Sequence, residues 1–243
     1  MKRIGSLLVG LSVLFFVASS MKMAFSLDQN PLPIFITEEI DFAPNLLAAV
    51  FLIPEDPATW IILVAVWTAS LLFAAQLIYR FHGDDALRPA DVALLVGAFV
   101  LAAISPWVAL EAPLPGFLMC VLMLMAHISI VSRKFSDERL ARNPFVGILL
   151  GWATMLTFTA FSSFINDAMA IPPELASISG AILACITTMA VQMRIPHNPL
   201  CTITVMFAFL AVAAAMIDAA PIIAVNSVLA IASLTFLLVR VTT

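Results

Sequence analysis

His127 has the widest chemical range of any side chain in this sequence. It lies in the apolar run 115–132, about five residues from the basic end of that run. A neutral imidazole in such a place offers a lone pair to a metal, and haem in membrane bundles is often held this way. A paired-histidine haem site would need a second histidine within an apolar run. His82 and His197 both fall in polar connections. The plainer role for His127 is a hydrogen bond to a neighbouring helix. Four tryptophans are the other candidates. Trp60 and Trp107 sit near the ends of apolar runs, where indoles anchor at the membrane surface. Trp67 and Trp152 lie deeper. A buried indole N–H needs an acceptor, so these two either pack inside a bundle or line a cavity.

The remaining polar residues narrow the chemistry. Cys120, Cys185 and Cys201 lack the spacing of a zinc or redox pair and read as small apolar residues. Gln76, Gln192 and Asn226 are uncharged amides within apolar runs, where such groups tie helices together. No Asp, Glu, Lys or Arg falls near the middle of an apolar run. Ion-coupled transporters place ionisable groups there, and an enzyme would need an acid/base pair. A non-catalytic protein is the expectation. Lys22, near the end of the first run, either snorkels to lipid headgroups or offers a cation to a carboxylate at the mouth of a pocket.

The elements that must position these residues are apolar helices. The chain is 63% hydrophobic and 11% charged, against about 25% charged in a soluble domain. The apolar runs are long and unbroken, which excludes the short alternating strands of a membrane barrel. Eight spans are expected: 4–25, 59–78, 91–110, 115–132, 144–165, 173–193, 199–217 and 221–239. The fold class is an all-α polytopic membrane bundle. Short connections predict that the third and fourth, sixth and seventh, and seventh and eighth spans pack as hairpins. The segment 27–59 is Pro-rich and too polar to span. Its apolar piece 46–53 is too short to cross about 30 Å of hydrocarbon and reads as an interfacial helix.

The basic residues test this count. With the N-terminus inside, ten of the eleven fall on the inner side, and Lys22 is the exception. Lys and Arg are retained in the cytoplasm during insertion, so the bias fixes orientation with both termini cytoplasmic. The inner loop Arg133–Arg142 carries four cations, expected to anchor to anionic lipid at about 1 kcal/mol each, with a docking site for a cytoplasmic partner as the alternative. Lys2-Arg3, the following apolar stretch and Ser19-Ser20 also resemble a signal peptide. A retained helix is expected, because the apolar stretch continues to Phe25 and its removal would leave an odd number of spans.

Span five carries a recognisable pattern. Pro144-Phe145 followed by Leu150-Gly151-Trp152-Ala153-Thr154 resembles the fifth helix of the TspO/MBR family, the tryptophan-rich sensory or translocator proteins. Glu39-Ile40-Asp41 with Pro44-Asn45-Leu46, Pro57-Ala58 followed by Trp67, Trp107, and Arg133-Lys134-Phe135 agree in order. The likeness is to longer bacterial members and covers roughly 4–167. The family's frequent Asn positions are Ile104 and Ala160 here, and the Tyr after the second-helix Trp is missing. The resemblance implies a five-helix bundle, residues 1–167, followed by a three-helix extension, residues 168–243. It implies a bacterial inner-membrane protein that binds or senses a hydrophobic planar ligand such as a tetrapyrrole. Porphyrin or haem would be the cofactor, and Trp67, Trp152, Trp107 and His127 the ligand-binding residues. A pocket among the first five helices would open outward beneath the 27–59 segment as a lid. The alternative is a structural or assembly subunit of a larger, energy-transducing membrane complex, because the Ala/Val-rich last spans let helices approach closely. The expected partners are membrane lipids, a small hydrophobic ligand, and a homodimeric mate or membrane-complex subunit. Nucleic acid is not expected. Cysteines introduced at Ser136 and at Glu39 should be labelled by membrane-impermeant maleimide from opposite sides. Labelling from one side would break the eight-span alternation.

Overall fold

The computed structural model describes residues 2–29, 57–80, 87–132 and 138–242. Eight long helices account for nearly all of these residues: α1 (Lys2–Gln29), α2 (Pro57–Arg80), α3 (Pro89–Glu111), α4 (Pro113–Ser132), α5 (Pro144–Met169), α6 (Pro173–Arg194), α7 (Leu200–Met216) and α8 (Pro221–Thr242). A single helical turn, Glu138–Ala141, precedes α5. Seven of the eight are long and apolar enough to cross a membrane, and α7, at 17 residues, is a shorter apolar helix. At 1.5 Å per residue α7 is about 25 Å long, within reach of a thin hydrocarbon core. The chain is therefore a polytopic helical membrane protein. The proposed interfacial helix at 46–53 and most of the 27–59 lid lie outside the described residues, as does half of the basic inner loop.

Proline writes the helix starts. Six of the eight long helices begin with it, where the missing N–H belongs to a position with no intrahelical partner. Asn143 adds a side-chain cap before Pro144, accepting from the Phe145 N–H at 3.0 Å. At the other end of α5, Ala170 takes the left-handed conformation (φ 51°), and Asn166 Nδ2 donates to the Ile171 carbonyl at 2.8 Å. Pro106 lies inside α3 and costs that helix one backbone bond.

α5 is the axis of the bundle. About 78% of its apolar window is buried, against 28–44% for the other spanning helices. It packs against α4, α6, α7 and α2, while α1 joins α2 and α3 along the front. One hydrophobic cluster runs from Val9 and Phe16 in α1 through Leu150 and Met155 in α5 to Leu234 in α8. The three C-terminal helices thus share a core with the first five. The expected hairpins form between α3 and α4 and between α7 and α8. The α3–α4 turn is a single residue, Ala112, and Gly116 lies so close to Ala109 that a Cβ there would strike its backbone.

The sixth and seventh spans depart from the hairpin expectation. α6 and α7 touch lightly, and each packs mainly on α5 and α8. The reason lies in the 195–199 turn and in two glycines. Asn198 Nδ2 donates to the carbonyls of Ala141 (3.1 Å) and Asn143 (2.9 Å), which pins the start of α7 to the start of α5. Gly147 and Gly151, four residues apart on one face of α5, then let the two backbones meet. A Cβ on Gly151 would stand 2.6 Å from the Cys201 carbonyl oxygen, and one on Gly147 would strike the Asn198 carboxamide. Gly151→Ala should cost about 1–3 kcal/mol through overpacking. Gly97→Ala serves as the control, since nothing lies within 4 Å of its Cβ position. Cys120, Cys185 and Cys201 are buried, so a thiol-reactive dye reports unfolding. Its melting curve should fall for Gly151→Ala and stay or rise for Gly97→Ala.

Candidate functional site

The aromatic residues gather where α1 ends and α2 begins. This is the end expected to face outward. Two adjacent serines on α1 point to different neighbours. Ser19 Oγ accepts from the Trp107 indole N–H on α3 at 2.9 Å and donates to the Ala103 carbonyl at 2.7 Å. Ser20 Oγ accepts from the Trp67 indole N–H on α2 at 3.0 Å. Ala103 lies in the turn that Pro106 loosens. Hydroxyls from a neighbouring helix are a usual means of satisfying such a stretch in lipid. Trp60 meets Trp67 edge-to-face at 6.4 Å and Phe25 at 5.5 Å. Lys22 is exposed, and its Nζ stands 5.8 Å from the Trp107 ring centroid. This is the geometry of a cation–π contact.

The four residues expected to bind ligand do not converge on one surface. Trp107 is half-buried and presents part of its ring beside Lys22. Trp67 is 7% exposed and is held by Ser20. Trp152 is 8% exposed and lies against the Phe16 ring at 5.3 Å. Its indole has no hydrogen bond among the described residues. Neither deep tryptophan faces lipid; both are part of the core.

His127 is buried in the other half of the bundle. Its Nδ1 lies 3.0 Å from the Met123 carbonyl. That contact requires the proton on Nδ1, which leaves Nε2 as a bare acceptor. Nε2 is buried with no partner among the described residues, and the Phe99 ring stands edge-on at 6.2 Å. This tautomer is the one a metal would need, with one nitrogen fixed by a carbonyl and the other open. Position argues against iron ligation at the aromatic cluster. Trp107 is about 6 Å along α3 from its outer end, whereas His127 is about 21 Å along α4. A macrocycle centred on His127 would leave its edge carboxylates far from Lys22. The residues therefore do not suit a haem held by His127 at the outer end.

The opposite end is tied by amides. Asn143 Nδ2 donates to Gln76 Oε1 at 3.0 Å, joining α5 to α2. Gln192 Oε1 on α6 accepts from the Thr202 hydroxyl on α7 at 2.6 Å, and its Nε2 donates to the Ile195 carbonyl at 3.3 Å. Gln76 and Gln192 thus act as interhelical glue. Asn226 does not, because its Nδ2 has no partner among the described residues. Two signals for these contacts were present in the sequence. The spacing Gly147-Ile-Leu-Leu-Gly151 marks a close helix approach. Ser19-Ser20, which resembles a cleavage site, supplies the two indole acceptors.

The architecture and these contacts define an integral membrane protein with an aromatic cluster at one end. No protein-family model, curated protein or solved structure matches the chain. Among the described residues no group of His, Cys, Asp and Glu side chains could hold a metal ion. Ser20→Ala should leave the buried Trp67 N–H unsatisfied and cost about 1–3 kcal/mol. In a double-mutant cycle with Trp67→Phe, most of that cost should vanish. A fully additive pair would show that the bond contributes nothing.

Proposed function

We propose that this chain is a non-catalytic membrane receptor for a hydrophobic planar ligand that carries a carboxylate, of the tetrapyrrole class. The observation that carries the reading is the exposed Lys22 ammonium beside the half-buried Trp107 ring. An aromatic face gains about 0.5–1.5 kcal/mol from a stacked ring beyond area burial. The neighbouring cation supplies a counter-charge for an acid at the ring edge. Ser19 fixes the Trp107 plane from behind, and the Trp60–Trp67 pair closes the flank. The resemblance to the TspO/MBR family points to the same ligand class, and the basic residues support an inner-membrane orientation with both termini cytoplasmic. The role assigned to Trp152 is to shape the floor beneath the cluster through its contact with Phe16.

A second reading, a subunit of a larger membrane complex, is favoured by the wide exposed apolar face of α8, which includes Phe236, Val225 and Leu229. Co-purification of a stable partner in mild detergent would support it.

Titration of the protein in nanodiscs with protoporphyrin should quench tryptophan emission saturably. Trp107→Leu and Lys22→Gln should each weaken binding about five-fold, the equivalent of about 1 kcal/mol. His127→Ala should leave metal-free porphyrin binding unchanged. No saturable quenching at micromolar ligand, or equal affinity in Lys22→Gln, would end the receptor reading.

A further inference from the structure

The end of the bundle opposite the aromatic cluster gathers cations at one corner. Two short turns meet there. In the first, the Asn143 N–H donates to the Leu140 carbonyl at 3.1 Å. In the second, the Asn198 N–H donates to the Ile195 carbonyl at 3.1 Å. A buried apolar side chain pins each turn, Leu140 in one and Ile195 in the other. The Asn198 side chain, itself buried, clamps the second turn onto the first by donating to the carbonyls on either side of Arg142. Arg142 is exposed. Arg194, directly before Ile195, and His197, directly before Asn198, are exposed too. No Asp or Glu occurs in 139–166 or in 175–217, the stretches that form this corner.

We infer that this corner binds the phosphate of an anionic phospholipid, one headgroup held by Arg142, Arg194 and His197 together. The chemistry of the three side chains fits that ligand. A guanidinium is a planar fork of N–H donors that matches two phosphate oxygens. A neutral imidazole adds one N–H, so His197 contributes without carrying charge. Placement selects a lipid over other anions. Arg194 ends α6, a helix long and apolar enough to span, so the corner stands where hydrocarbon gives way to headgroups. One residue back, Met193 is 63% exposed, and Ala190 and Ile186 continue the same exposed face of α6 into the span. A phosphate bound at Arg194 leaves its acyl chains along that face, which offers nothing to a free anion. Basic sites between helices at the membrane surface recognise anionic headgroups in this way. The inference is independent of the porphyrin reading, since it uses the opposite end and different helices.

The experiment is native mass spectrometry of the full chain in mild detergent, with dioleoyl-phosphatidylglycerol or dioleoyl-phosphatidylcholine added at rising concentration. Wild type should retain one phosphatidylglycerol saturably and bind it about ten-fold more tightly than phosphatidylcholine. Arg142→Gln and Arg194→Gln should each weaken it about five-fold, the effect of one cation beside a charged headgroup. Arg142→Lys combined with Arg194→Lys keeps the charge and removes both forks. Affinity should still fall, by about three-fold, a loss that diffuse attraction does not produce. Arg88→Gln removes a cation at the same end, at the start of α3, and should leave binding unchanged. Excess inorganic phosphate should not displace the lipid. The thiol-dye melting curve confirms that each variant stays folded, and the Lys pair serves where a Gln variant melts early. Equal affinity for the two lipids overturns the inference. So does a Lys pair that binds like wild type, or an equal loss in Arg88→Gln, since either would show attraction by charge alone. Displacement by inorganic phosphate would make the corner a site for a free anion and overturn it as well.

Discussion

The contact between Gly151 on α5 and the backbone of α7 sets the arrangement of this bundle. In lipid, apolar side chains gain little from leaving one hydrocarbon environment for another, so helices associate where their backbones can touch. Gly147 and Gly151 create that place on α5. Asn198 holds the start of α7 there by bonding to the Ala141 and Asn143 carbonyls. With α7 fixed on α5, α6 cannot form a simple hairpin with it. α6 takes the next face of α5, and α8 closes over both. The enclosed position of α5 follows from this sequence of contacts.

Polar side chains then do at the two ends what glycine does along the α5–α7 seam. At the inner end, amides bridge α2 to α5 and α6 to α7. At the outer end, hydroxyls on α1 bridge to indoles on α2 and α3. Each such bond is worth about 0.6 kcal/mol on average in a membrane bundle. None dominates alone. Together they fix the rotation of each helix about its axis, which van der Waals packing among Leu, Val and Ile leaves loosely determined. The rotation of α3 in turn decides that Trp107 shows part of its ring beside Lys22.

The helices were legible in the sequence because length and hydrophobicity set them locally. Proline at the first position, as at Pro57, Pro89 and Pro173, makes the starts sharp, and the expected boundaries fall within a few residues of those observed. Lateral arrangement was less legible. Connection length suggested that α6 and α7 would pair, but a five-residue turn does not specify which face of a helix its partner meets. The deciding residues, Gly147, Gly151 and Asn198, act through contacts between segments about fifty residues apart. The candidate site was partly legible for the same reason. The need of the Trp67 indole for an acceptor follows from chemistry, whereas the identity of that acceptor, Ser20, depends on the rotation of α1.

Asn226 shows how the same reasoning separates two kinds of intramembrane amide. Gln76, Gln192 and Asn226 have equal chemistry and similar sequence surroundings. Two of them reach a partner because they lie near turns that offer polar groups: Gln192 donates to the Ile195 carbonyl in the 195–199 turn, and Gln76 accepts from Asn143 at the cap of α5. Asn226 lies in the second turn of α8, facing Ala181 and Ile182 across a groove, and neither side chain can accept a hydrogen bond. Ser227 and Ser233 on the same helix donate to backbone carbonyls one turn back, a bond that the Asn226 amide does not make. The Asn226 amide nitrogen therefore has no partner among the described residues, whereas the amides near turns are bonded there.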